Sequence, residues 1–417
     1  MRMKFNKSSQ LLLVSAASLL MAGLITACSS ATVDFVFVAS SRAAGANNYG
    51  EIDVFEINSV SGAMRQILSS PFPSGGRNPV AEAVSSDYSN LYVVNQDDNT
   101  IVQFLIGNDG KLYPQNTVNT PGIFPLAVAV SGTNLFVVDT YQPLPTCSTA
   151  DPCSGSVGVF PLLPATTGAN PTPSGAPGTP IVNPSTGASY WPLTLPAHPA
   201  DIMVPTAVGV LGSGADLYVT AYDTTVTPNV GYVFGFAVGS GGVLTPLNGG
   251  VPFAAGVHPS AIASDSTSTY VYVTDFTNGN IRGYSVAAGL LTPLSGSPFP
   301  AGNQPSTIVV DPSYPYAYVA NSLDGNVEAY SISNGALSFL GGSATPVTYA
   351  ADAQPVAIGI DPSTNHFVFT ANFLGNDVSD FELSATAGTL INTQHSPYTA
   401  NAQPTAVAAV PHGSAPK

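Results

Sequence analysis

Arg77 and Glu82 flank Pro79, and His258 stands directly before Pro259. A guanidinium, a carboxyl and an imidazole are the parts of an acid/base set with an anion anchor. The imidazole and carboxyl can trade a proton, and the guanidinium can hold negative charge as it develops. Taken singly, each also reads as a rim charge or a satisfied turn residue. A second constellation is neutral. Asn78, His258, Gln304, Gln354 and Gln403 each precede a proline, as do Phe124 and Val204, and Asn95, Asp139, Asp275, Asn321 and Asn372 each close a short apolar strand. If those strand ends gather at one mouth, amides line it with a few carboxylates among them. Amides donate and accept at once, so such a mouth suits a neutral, hydroxyl-rich ligand better than an anion. The alternative is that the Asn and Asp residues cap their own turns and the glutamines face water.

The cysteines point to export. Arg2, Lys4 and Lys7 precede an almost uncharged run that ends in Leu24-Ile25-Thr26-Ala27-Cys28. The run is shorter than the roughly 20 apolar residues of a membrane-spanning helix, and small residues before the cysteine fit a signal peptidase. The expectation is a lipoprotein signal over residues 1–27, an acylated Cys28, a linker over 28–32, and a lipid anchor in the cell envelope. Ser29 rather than Asp after the cysteine favours the outer membrane; an ordinary secretory signal is the simpler alternative. Cys147 and Cys153 then form an even pair in an oxidising compartment, which predicts a disulfide closing a small loop. A metal site is the rival reading, but no histidine or second cysteine pair lies nearby in sequence. No metal and no cofactor are expected.

With 9 Lys and Arg against 24 Asp and Glu, the chain carries a formal charge of −15. Such a surface repels phosphate backbones and anionic lipid headgroups, which excludes nucleic acid as a partner and leaves membrane attachment to the lipid. Only 8% of residues are charged, while 44% are hydrophobic and fall in short alternating runs between Gly and Pro. That pattern is a turn-rich all-β protein.

What must position the candidate residues is a repeat of about 50 residues. A Tyr-Val-x-Asn/Asp type strand recurs at Phe35, Tyr92, Phe136, Tyr218, Tyr272, Tyr318 and Phe367, and a proline-led strand precedes it at Pro79, Pro125, Pro205, Pro259, Pro305, Pro355 and Pro404. A third strand carries an aromatic at constant register, as in Ile281-Arg282-Gly283-Tyr284, with its ring placed to pack on the next blade. Turns such as Asn278-Gly279-Asn280 and Asp324-Gly325-Asn326 supply the positive φ of tight hairpins; calcium loops are the less suitable reading because alternating Asp ligands are missing. One repeat is four antiparallel strands. The last proline-led strand has no partner downstream, and the first Tyr-Val-type strand begins mid-blade. Pairing them closes a seven-bladed β-propeller over residues 33–410, with a tail at 411–417. The one long interval, a Pro-, Gly- and Ser-rich stretch at about 141–199 holding the cysteine pair, His198 and Trp191, is expected to decorate a rim.

Together the Pro-led strand, the Tyr-Val-x-Asn strand and the Asp-Gly-Asn turn resemble the seven-bladed lactonase-type propellers, which include the propeller form of phosphogluconolactonase and carboxymuconate-cyclising enzymes. The resemblance implies a lactone hydrolase or related cycloisomerase, with an Arg-His step after one of the prolines binding an anionic substrate at the channel mouth. Here the two residues after each proline run Val80-Ala81, Leu126-Ala127, Thr206-Ala207, Ser260-Ala261, Ser306-Thr307, Val356-Ala357 and Thr405-Ala406. The Arg-His step is not among them. The leading expectation is therefore a monomeric envelope lipoprotein whose propeller binds or scaffolds a protein or neutral glycan. The alternative is a lactonase using Arg77, Glu82 and His258.

Overall fold

Alternation along each short strand leaves two apolar faces, so a single four-stranded sheet cannot bury itself and must stack between two others. In a computed structural model describing residues 32–41, 48–59, 61–145, 147, 152–167, 174–362 and 366–412, seven antiparallel sheets do this around a central axis. The signal segment 1–27, Cys28, most of the proposed linker and residues 413–417 lie outside the described residues. Inner strands run Pro79–Val84, Ile123–Ser131, Met203–Val210, Pro259–Ser264, Pro305–Val310 and Pro355–Ile360 for blades 2 to 7. Blade 1 takes its inner strand, Gln403–Pro411, from the far end of the chain. It pairs with Thr32–Ser41 from Asp34↔Pro411 to Ser41↔Gln403. The inner strands then neighbour one another in an unbroken ring, with the C-terminal one between Pro355–Ile360 and Pro79–Val84.

The core is divided among the seams. Each of seven buried apolar clusters joins two adjacent blades, as when Val36, Val38 and Phe55 of blade 1 pack on Phe367, Phe369 and Val378 of blade 7. The third-strand aromatics Phe55, Phe104, Phe160, Phe236, Tyr284, Tyr330 and Phe381 are all buried, but they pack on the preceding blade rather than the next one. Alternation fixes that they share a face; only the sense of winding decides which neighbour covers it. The tyrosines of the second strand take the opposite seam. Tyr92, Tyr218, Tyr272 and Tyr318 donate their hydroxyls to the carbonyls of Gly175, Gly289, Gly335 and Gly388 in the following blade, at 2.7, 2.9, 2.9 and 3.1 Å. At Gly335 φ is +82° and an added Cβ would lie 2.4 Å from the Tyr270 ring, so this turn needs glycine for both conformation and space.

Outer strands are mostly broken in two, and a Ser-Pro-aromatic triplet manages the gap in three blades. The hydroxyls of Ser70, Ser297 and Ser396 accept the backbone N–H of Val54, Gly283 and Asp380 at 2.8, 3.0 and 2.9 Å. These are ladder donors that the interrupted neighbour cannot reach.

The stretch at 141–199 is not a single rim appendage. It contains the third strand of blade 3, Ser156–Leu163, and both pieces of its outer strand, Ala176–Pro177 and Trp191–Pro192. Trp191 is buried at the seam with blade 4 and donates Nε1–H to Leu244 O at 2.9 Å. The third strand is legible in the aromatic register of Val157-Gly158-Val159-Phe160, but composition conceals the outer one, because two-residue strands leave no periodicity to read. A disulfide joins Cys147 to Cys153 in the loop before the third strand.

Candidate functional site at the channel mouth

The inner strands begin at one face of the ring, called here the upper face. All seven leading prolines are buried, and the residue before each lies half-buried at the mouth. Its backbone is tied down by the strand beside it. The carbonyls of Asn78, His258, Gln304 and Gln354 accept the N–H of Gln96, Phe276, Ser322 and Phe373. Four of these positions hold a left-handed backbone, with φ of +52° at Asn78, +55° at Phe124, +54° at Gln304 and +56° at Gln354.

This geometry divides the ten polar mouth candidates into two groups. Asn95, Asp139, Asp275, Asn321 and Asn372 are each 0% exposed and do not line the mouth. They are the pegs that hold the loop leading into the proline paired with them in the same blade, or the hairpin beyond. Asn95 accepts from Ser74 Oγ and donates to Ser74 O, while Asp139 accepts the Gly122 N–H at 2.9 Å. Asp275 accepts the N–H groups of Val257 and His258, Asn321 donates to Asn326, and Asn372 donates to Asp377 and Ser379. All five side chains are thus buried and bonded inside the fold, Asp275, Asn321 and Asn372 to the hairpin that follows them and Asn95 and Asp139 to a loop upstream. The glutamines behave differently: the side-chain amides of Gln304, Gln354 and Gln403 make no hydrogen bond to any described residue. Asn78 sits between the two groups, donating to Gln96 and Asp97 at 3.2 Å.

Nor do the acid/base candidates converge. Arg77 turns onto its own blade, its Nε donating to Asp98 at 2.7 Å and Nη2 to Asp97 O at 3.1 Å. Asp98 raises the guanidinium pKa, and the guanidinium in turn draws that carboxyl down against its partial burial. His258 belongs to blade 5, with blades 3 and 4 between it and Arg77. Its ring packs at a tilt against Tyr222, 4.3 Å between centroids, and Phe276, 5.5 Å, and burial lowers its pKa while Asp275 opposes. Glu82 is not at the mouth. Both its oxygens are sealed in the seam between blades 1 and 2, near the backbones of Ala408 and Ala39, without a hydrogen bond of normal geometry. Desolvation pushes its pKa well up, so the neutral acid is favoured there. His198, exposed in a turn ahead of the fourth inner strand, joins none of them.

In the other inner strands the register of Glu82 is filled by Val128, Val208, Ile262, Ile308, Ile358 and Val407. Replacing Glu82 with Val is therefore expected to keep the fold and raise stability at pH 8, by about 1–3 kcal/mol. Urea unfolding at pH 8 and pH 4 checks this. The gain should shrink at pH 4, where the acid is protonated in both folded and unfolded states; a loss of stability at both would show that the carboxyl holds the seam.

Sequence reasoning missed the aromatic half of the mouth. Tyr141 and Phe124 meet edge to face at 6.1 Å on blade 3, and Tyr222, His258 and Phe276 form a continuous cluster over blades 4 and 5. Burial raises the Tyr222 phenol pKa, with nearby Tyr141 adding to the effect. The signal was present in one place: Phe276 directly follows the Asp that ends its strand, and Tyr222 follows Ala221 at the same register. Among the described residues, no group of three His, Cys, Asp or Glu comes together to hold a metal ion.

Residues 246–414 match the family model described as lactonase, 7-bladed beta-propeller. Solved structures share the fold over nearly the whole chain. A provisionally assigned 6-phosphogluconolactonase from Bacteroides fragilis aligns with a TM-score of 0.67 at 17% identity, covering 92% of this chain and 99% of its own. A second such assignment, from Bacteroides uniformis, gives 0.66 at 16%, covering 91% and 100%. The periplasmic gluconolactonase of Pseudomonas aeruginosa gives 0.63 at 17%, covering 91% and 99%. No curated protein matches the sequence. The chain is thus a lactonase-like seven-bladed propeller, and at these identities the likeness to the solved structures is one of fold.

Proposed function

We propose that this chain is an exported binding module, carried on a lipid at Cys28 in the cell envelope, which captures a neutral ligand or envelope partner at the upper mouth of its propeller. The observation that carries the binding role is the state of the three acid/base candidates. Arg77 is engaged by Asp98, Glu82 is sealed in a seam, and His258 is packed between two rings on another blade. What the mouth does present is three glutamine amides that bond no described residue and an aromatic cluster, in a protein of charge −15. That combination favours a neutral ligand over an anionic one. The envelope address rests on the basic start, the apolar run and the Leu24–Cys28 motif.

The second reading is a lactone hydrolase, favoured by the match of residues 246–414 to the lactonase propeller model. His258 would then be the proton carrier, with its lowered pKa keeping it neutral and basic near pH 7. Hydrolysis of gluconolactone, 6-phosphogluconolactone and homoserine lactones by the full chain, with His258→Ala beside it, decides between the two. The binding reading expects no rate above buffer. Turnover that disappears in His258→Ala would replace it with the hydrolase.

A further inference from the structure

The mouth is not uniform around the ring. Reading the residue before each proline from blade 3 onward gives Phe124, Val204, His258, Gln304, Gln354 and Gln403. At this position blades 3 to 5 are therefore aromatic and apolar and blades 6, 7 and 1 carry amides, while Phe373 of blade 7, beside Gln354, repeats the register of Phe276. Tyr222 and Phe276 extend the aromatic sector on either side of His258, at centroid distances of 4.3 and 5.5 Å, and all three rings keep part of their surface open.

Backbone strain adds a second, independent observation. Phe124, Gln304 and Gln354 hold φ near +55°, a conformation that Gly and Asn take far more easily. At the equivalent place in blade 2 the chain does use Asn78, φ +52°. Tyr88, Ala288 and His395 hold positive φ elsewhere in the fold; at the mouth the strained positions Gln304 and Gln354 are also ones whose side-chain amides bond no described residue.

Taking the binding reading above as its basis, we infer that the ligand is a neutral saccharide, one sugar ring lying with its C–H face on the Tyr222–His258–Phe276 cluster and its hydroxyls meeting Gln304 and Gln354. A pyranose has the required division into an apolar face and an equatorial belt of hydroxyls that both donate and accept. The aromatic rings supply rigid contact area, and the amides of blades 6 and 7 can satisfy hydroxyls of either polarity. Anionic sugars are disfavoured because the net charge of the chain is −15 and, at the mouth, Arg77 is already engaged by Asp98.

The test is titration calorimetry of the full chain with cello-, malto-, xylo- and chitopentaose, repeated on Tyr222→Ala, Phe276→Ala, Tyr222→Phe and the double variant Gln304→Ala/Gln354→Ala. At least one pentasaccharide should bind, and each alanine variant should weaken it about tenfold or more, whereas Tyr222→Phe should bind nearly as wild type because the ring face carries the contact. Thermal unfolding of each variant separates lost binding from lost structure. Binding that survives both aromatic substitutions but is lost in the double glutamine variant would overturn the stacking inference and leave the mouth as a binding site. If none of the four sugars binds, the saccharide assignment fails; an envelope protein captured by the wild type and lost in the glutamine variant would then show that the mouth recognises protein.

Discussion

A chain ending at Asn401 should not fold to a stable propeller. The deletion removes Gln403–Pro411, the inner strand of blade 1, and with it the ladder from Asp34↔Pro411 to Ser41↔Gln403. It also strips the tie from Thr405 Oγ1 to Pro79 O at 2.8 Å, the one hydroxyl that joins the closing strand to blade 2. Thr32–Ser41, buried along most of its length, would become an edge with open N–H and C=O groups facing the channel. The loss is larger than removing one strand from an open sheet, because two seams open at once. Val407 and Ala409 pack in the seam with blade 7, and Ala406 and Val410 in the seam with blade 2. The expected cost is comparable to the whole stability of a typical domain, about 5–15 kcal/mol. Circular dichroism and thermal unfolding of the truncated chain check it: a cooperative transition at the full-length temperature would mean that the ring closes by other contacts.

Asp139→Asn should stabilise the protein at neutral pH, and the gain should depend on pH in a defined direction. Asp139 is fully buried, and desolvation raises its pKa from 3.8 to about 7 despite the Gly122 N–H and the Thr120 hydroxyl that favour its charged form. A carboxyl whose folded pKa is raised contributes its full stability below the unfolded value near 3.8. That contribution is lost as pH climbs to about 7, since the unfolded chain releases the proton first. Wild-type stability should therefore fall across this window on account of Asp139, and Asp139→Asn should abolish that fall. The difference is expected to be near zero at pH 4 and to level off above pH 7 at about 2–4 kcal/mol. The repeat itself shows that Asn fits, because blade 2 holds Asn95 at the same register, bonded to Ser74. Chemical denaturation of both proteins at intervals from pH 4 to 8 measures it. Equal pH slopes would mean that Asp139 stays ionised in the fold.

These two predictions mark how far the repeat could be read. Seven prolines, seven Tyr-Val-type strands and one unpaired terminal strand are local and periodic facts, and they led directly to a closed ring. The candidate site was less legible. Asn95 and Gln304 are both polar residues at the upper ends of inner or second strands, yet one is 0% exposed and the other carries an amide that bonds no described residue. Composition and spacing are the same for a peg and for a ligand contact, because the difference lies in which loop folds back over the side chain.

What the sequence determined by itself is therefore the architecture: strand period, turn chemistry and the strand missing from the first blade depend on neighbours along the chain, and a repeat multiplies that signal sevenfold. Only the tertiary structure decided that Trp191 belongs to a seam, that the third-strand aromatics face the preceding blade, that Arg77 and His258 stand on blades separated by two others, and that the mouth has an aromatic half and an amide half. Each of these depends on residues distant in sequence but brought together by the winding of the ring, and no local pattern encodes which blade comes to rest against which side chain.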